Sequence, residues 1–214
     1  MTNIIENAFD ECPIIGIIRG SKPSEIVAIG EALFESGIRI MEVPLNSPSP
    51  VESIQRLIEA MGDKMVIGAG TVLSVQDVDD VVKVGGQICV SPNTDQAVIK
   101  ACVDKGVEAF PGYQTPSEAF SAIQAGATWL KCFPAGSLGP SGISSLRDVI
   151  PAHIRLIAVG GVSAGNVADY MRAGCNGIGM AGSLYKPGYT AKQVGQAARQ
   201  MVVAMEHWQA GQVQ

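Results

Sequence analysis

Short apolar runs recur along the chain, each followed by a polar turn and then by a segment whose apolar positions repeat every three or four residues. Eight runs have strand character: 13–18 (PIIGII), 38–43 (IRIMEV), 65–69 (MVIGA), 87–91 (QICVS), 107–111 (VEAFP), 128–133 (TWLKCF), 154–159 (IRLIAV) and 176–180 (NGIGM). Helical periodicity occupies 23–36, 50–61, 74–83, 94–104, 115–125, 142–149, 163–173 and 190–207. Pro23-Ser24-Glu25, Thr115-Pro116-Ser117-Glu118 and Ser163 are helix-start signals. Gly37, Gly62, Gly106, Gly126 and Gly174 are helix stops. Strict strand–helix alternation requires parallel strands joined by crossover helices, which is an α/β fold. Eight such units close a (β/α)8 barrel, here a compact one, below the roughly 250 residues typical of the class. The competing open doubly wound sheet would carry Gly-x-Gly-x-x-Gly after its first strand, and RGSKPS (19–24) stands there instead. The pattern therefore predicts a TIM barrel in a single domain over 1–214. Residues 3–11, with Ile4, Ile5, Ala8 and Phe9 on one helical face, are expected to cap its lower end, and 209–214 to fray.

In a barrel of this kind the chemistry sits at the C-terminal ends of the strands. The residues predicted there are Arg19, Glu42, GAGT (68–71), SPN (91–93), FPGY (110–113), Lys131, VGG (159–161) and MAGS (180–183). Lys131 interrupts an otherwise apolar strand. Alternation along the strand puts it on the side of Trp129 and Phe133, opposite Leu130 and Cys132, and puts Glu42 on the side of Ile40. An inward lysine in an apolar barrel loses solvation, which favours the neutral amine. A neutral amine is a nucleophile for a ketone and forms a Schiff base. The plainer alternative is a lysine that snorkels to the rim or pairs with Glu42 for structure alone. Arg19 beside it would disfavour protonation further and could grip a carboxylate in bidentate fashion. Two cations and one carboxylate suit an anionic keto acid. The turns after the seventh and eighth strands, with Gly160, Gly161, Gly182 and Ser183, occupy the usual phosphate position of such barrels, although tight turns alone also use glycine.

Composition narrows the partners. Of 214 residues, 47% are hydrophobic and 16% charged, with mean hydropathy +0.24, which is too apolar for a disordered chain. A net charge of −5 and a pI near 5.0 leave no basic stripe for nucleic acid or an acidic membrane. No run approaches the roughly 20 apolar residues of a membrane span. The N-terminal MTNIIENAFDECP has acids and no basic region, so it does not read as a signal peptide, and a cytoplasmic location is expected. Five cysteines without a CxxC pair fit buried free thiols in a reducing compartment. His153 and His207 have no neighbours at zinc-ligand spacing.

The segments EVPLNSP (42–48), GAGTVL (68–73), SPN (91–93), PG (111–112), LKCFPA (130–135) and AVGGV (158–162) stand in the order and spacing of the KDPG/KHG aldolases. From Ile14 to about Tyr185 the chain resembles that family, and within it the galactonate branch. The resemblance implies a class I aldolase without metal or other cofactor, built as a homotrimer of barrels. It implies Lys131 as the Schiff-base lysine, Glu42 as the general acid/base, and Arg19 and Thr71 at the substrate carboxylate. Pro92, Phe133 and Val159 would complete the substrate pocket, with the phosphate on Gly160-Gly161 and Gly182-Ser183. The gluconate branch has threonine where Val159 stands, and arginine and threonine where Asn46 and Ser47 stand. Ala181 replaces a glycine more usual in the last loop. The reaction implied is cleavage of 2-dehydro-3-deoxy-6-phosphogalactonate to pyruvate and D-glyceraldehyde 3-phosphate. The alternatives are the same chemistry on the C4 epimer or on both, an isomerase or epimerase without an imine, and a barrel that only senses a sugar phosphate.

Overall fold

A computed structural model of the chain describes residues 4–211. The strands run parallel in one closed ring: β1 Ile14–Ile17, β2 Ile40–Pro44, β3 Val66–Gly70, β4 Ile88–Val90, β5 in two pieces, Glu108–Phe110 and Gly112–Tyr113, β6 Trp129–Cys132, β7 Arg155–Val159 and β8 Gly177–Met180. β1 pairs with β2 and with β8, which closes one side. The other side closes at the break in β5. Its first piece pairs with β4 and its second with β6. Pro111 sits at the break because it has no N–H to give β4, while its carbonyl accepts from Lys131 N at 2.8 Å. The barrel expected from the pattern is therefore present, with the fifth run divided between two neighbours.

Nine helices are seen among the described residues: α1 Ile4–Glu11, α2 Ile26–Glu35, α3 Pro50–Met61, α4 Val75–Lys83, α5 Gln96–Lys105, α6 Pro116–Gln124, α7 Ala135–Arg147, α8 Val167–Arg172 and α9 Ala191–Ala210. Thr115 caps α6 as its sequence predicts, in a reciprocal box with Glu118. Four expectations shift. Glu25 makes no side-chain cap on α2; its carboxylate accepts from Lys22 N instead and tightens the preceding turn. Ser163 does not start α8, because its N–H is taken by Asn166 Oδ1 in a local turn that delays the helix to Val167. α7 begins at Ala135, earlier than the periodicity suggests, and is kinked where Gly139 (φ 71°) precedes Pro140. At the C-terminus α9 stays helical to Ala210, past the predicted start of fraying, and 212–214 lie outside the described residues.

Side-chain alternation separates two apolar layers. Ile15, Ile17, Ile40, Val66, Ile88, Val90, Phe110, Trp129, Ile157 and Val159 fill the barrel interior. Ile14, Met41, Val43, Ile67, Ala69, Cys89, Leu130, Cys132, Leu156 and Ala158 face the helices. All five cysteines are buried free thiols. α1 lies across the lower opening and sends Ile5, Ala8 and Phe9 into the interior cluster. Phe9 stacks on Trp129 at 4.2 Å and on Phe110 at 6.1 Å. Gly177 makes room for it, since a Cβ there would come within 2.8 Å of the Phe9 ring. The ion pairs Arg155–Glu6 (3.0 Å) and Arg39–Glu11 (2.8 Å) hold the helix at its edges. Truncation of the plug, Phe9→Ala, should lower the unfolding free energy by about 3–5 kcal/mol in denaturant melts. A loss under about 1 kcal/mol would show that α1 is an ornament on the barrel.

Candidate active site

The upper end of the barrel gathers the polar residues. Lys131 and Glu42 both project inward, as alternation predicts, and are 5% and 1% exposed. Neither is solvated by the protein. Among the described residues Lys131 Nζ has no hydrogen-bond acceptor and lies over the Phe133 ring, 4.7 Å from its centroid. Glu42 Oε2 is buried without a hydrogen-bond partner. Burial consequently dominates both titrations. It pushes the Lys131 ammonium below its ordinary range, with Glu42 opposing and Arg19 assisting. It raises the Glu42 carboxyl from 4.5 to about 7, with Lys131 and then Arg19 pulling the other way. The three groups feel one another at the mouth of the barrel.

Backbone geometry explains how a carboxyl fits so deep. Glu42 pairs in register with Gly68 on β3, and two residues on, at Gly70, there is no side chain. A Cβ at Gly70 would fall 1.8 Å from Glu42 Oε2, so the glycine is a notch that the carboxyl occupies. The sequence places GAGT (68–71) at a strand end without singling out Gly70; a glycine at an inward-facing strand position next to a strand with an inward carboxyl is the signal. Lys131 is set by its own N–H on the Pro111 carbonyl and by its register opposite Ile157.

Arg19 stands just past β1 and is exposed. Its Nη1 donates to Asn46 Oδ1 at 2.6 Å and to Thr71 Oγ1 at 3.3 Å, which brings Arg19 and Thr71 together as expected. Thr71 has φ 57°, a left-handed backbone that a β-branched residue adopts only under strain of about 1–3 kcal/mol. Phe133 joins Val159 and Ala181 at the top of the interior cluster, and Gly160 lies against Phe133, its would-be Cβ 3.6 Å from the ring. Gly160 (φ 89°) and Gly161 (φ 85°) form a left-handed pair, and Gly160 O accepts from Gly136 N at 2.8 Å. Gly136, at the start of α7, is a neighbour of this turn that the sequence reading does not include. Pro92 follows β4 at the seam, where Gly112 passes so closely that a Cβ would lie 2.2 Å from Pro92 O. Gly182 and Ser183 are exposed after β8, in a turn closed by Leu184 N and Tyr185 N on Ala181 O. Gly182 has open space on its side-chain face.

A desolvated amine that shares the mouth of a parallel barrel with a carboxyl poised near neutrality is suited to imine and proton-transfer chemistry. The family described as "Aldolase: KDPG and KHG aldolase" matches residues 5–198, and the chain belongs to that family of carbon–carbon lyases. It is 45% identical over 202 residues to the probable 2-dehydro-3-deoxy-6-phosphogalactonate aldolase of Rhizobium meliloti (strain 1021), covering 94% of this chain and 95% of that one. It is 42% identical over 192 residues to the 2-dehydro-3-deoxy-6-phosphogalactonate aldolase of Escherichia coli (strain K12), covering 90% and 94%. The solved structure described as "Native KDPGal structure" superposes with a TM-score of 0.92 at 40% identity, over 94% of this chain and 97% of that one.

Glu42 carries a stability signature that can be measured. Its folded pKa of about 7 lies above its ordinary 4.5, so the folded chain holds this proton more tightly than the unfolded chain does. The stability it contributes is complete below 4.5 and is lost as pH rises through about 7. Glu42→Gln should therefore match the wild type near pH 4 and exceed it near pH 8, by on the order of 3 kcal/mol in denaturant melts. A difference that does not change with pH would place the carboxyl in water.

Proposed function

We propose that the protein is a class I aldolase that cleaves 2-dehydro-3-deoxy-6-phosphogalactonate to pyruvate and D-glyceraldehyde 3-phosphate. The observation that carries this is Lys131: a lysine 5% exposed, lacking a hydrogen-bond acceptor among the described residues, with its ammonium form disfavoured by burial. Its neutral amine adds to the C2 ketone, and loss of water gives an iminium that serves as the electron sink. Glu42, as carboxylate, takes the C4 hydroxyl proton. The C3–C4 bond then breaks, its electrons enter the iminium to give an enamine, and the aldehyde leaves. The proton on Glu42 is returned to C3, and water hydrolyses the new iminium to pyruvate and the free amine. A carboxyl with pKa near 7 can accept and donate at neutral pH, which both steps require.

In this reading Arg19 and Thr71 receive the substrate carboxylate, and Pro92 and Phe133 wall the keto end. The left-handed pair Gly160-Gly161 and the open turn Gly182-Ser183 offer backbone N–H groups to the phosphate. Two features favour the galactonate epimer. Val159 presents an apolar surface where a hydroxyl would otherwise hydrogen-bond the sugar, and both relatives compared above bear the galactonate name. We further infer a homotrimer in the cytoplasm; sedimentation should read three times the 22.3 kDa chain mass. No helix among the described residues is long and apolar enough to cross a membrane.

Borohydride reduction with pyruvate should attach the three-carbon unit to a peptide containing Lys131, and Lys131→Met should abolish it. With the label established, kcat/KM should favour the galactonate substrate over its C4 epimer by about tenfold or more. An unlabelled wild type would overturn the imine mechanism, and an epimer preference of the opposite sign would overturn the role given to Val159.

A further inference from the structure

Arg19 is a long, exposed side chain, yet its position is fixed by a neighbour with no part in the reaction steps above. Nη1 places its two hydrogens on Asn46 Oδ1 (2.6 Å) and Thr71 Oγ1 (3.3 Å). That leaves Nη2 and Nε, with three N–H donors, for a ligand. Asn46 is itself held in place. Leu45 N bonds Gly70 O at 2.8 Å, Ser47 N bonds Pro44 O at 2.9 Å, and the buried Ser47 Oγ accepts from Gly20 N at 2.9 Å. The loop after β2 is thus stitched on one side to β3 and on the other to the residue following Arg19. The amide oxygen of Asn46 is the only acceptor on this loop that Arg19 meets within hydrogen-bond distance among the described residues.

The chemistry of the brace matters as much as its geometry. A carboxylate here would orient the guanidinium and also neutralise it. An amide oxygen orients it and leaves the full positive charge free, both to meet an anionic ligand and to act on Lys131 and Glu42, whose titrations it lowers. We propose that Asn46 is a positioning residue for Arg19, a neutral brace that presents the guanidinium to the carboxylate of the keto acid. This rests on the aldolase reading, in which Arg19 is the carboxylate receptor.

Asn46 is exposed, so its replacement should not disturb folding. Asn46→Leu keeps the approximate shape and removes the acceptor; Asn46→Asp keeps the acceptor and adds the charge. The probes are pyruvate and its uncharged amide, pyruvamide, each trapped on Lys131 with borohydride. Asn46→Leu should raise the half-saturating pyruvate concentration about tenfold, the effect of one lost hydrogen bond to a charged group. It should leave the value for pyruvamide within about twofold. In steady state, KM should rise more than kcat falls. Asn46→Asp should also weaken pyruvate, and in addition shift the pH profile of trapping upward, because a paired Arg19 no longer lowers Lys131 and Glu42. Equal losses for both ketones with Asn46→Leu, or no loss for either, would overturn the proposal while leaving the aldolase intact. Wild-type protein unlabelled by both ketones would overturn the aldolase reading and this proposal with it.

Discussion

An amine and a carboxyl removed from water into the same narrow tube cannot both keep the charges they carry in solution. Each is penalised for ionising, and each is partly rescued by the other. Lys131 and Glu42 are caught in that exchange: desolvation leads for both, and the mutual attraction opposes it in both. The outcome is a lysine displaced toward its amine and a glutamate displaced toward its acid. Neither displacement needs a dedicated hydrogen-bond partner; it follows from the interior being apolar below and only partly open above. The rest of the architecture serves to keep that compartment dry and to hold the two groups in place.

Several backbone features are legible as consequences of this constraint. The notch at Gly70 exists because a carboxyl must lie flat against β3. The break in β5 delivers a proline carbonyl to the amide of Lys131 and so fixes the height of the lysine in the barrel. The stacked Phe9, Phe110 and Trp129 fill the interior beneath the polar layer and exclude the water that would otherwise solvate it. Arg19 remains outside this compartment, exposed to solvent.

Much of this could be read from the amino acids because barrels obey short-range rules. Period-two alternation alone places Lys131 with Trp129 and Glu42 with Ile40, and eight apolar runs spaced by helical segments specify closure. What the sequence withholds is set by contacts between distant residues. Gly70 looks like any strand-end glycine until Glu42 is placed against it. Asn46 marks a departure from a relative's pattern, and only the fold shows that it grips Arg19 across 27 positions of sequence. The early start of α7 is hidden for a different reason: Gly139 and Pro140 are strong breakers locally, and a kink accommodates them. The short α8 reflects competition between a cap and an Asn turn over the same four residues.

The plug formed by α1 has a kinetic corollary. With Ile5, Ala8 and Phe9 filling the lower end and Phe9 stacked on Trp129, traffic with solvent falls to the upper end. In the proposed reaction the water lost on imine formation and the water that later hydrolyses the imine would therefore travel the same route as the substrate and the two products.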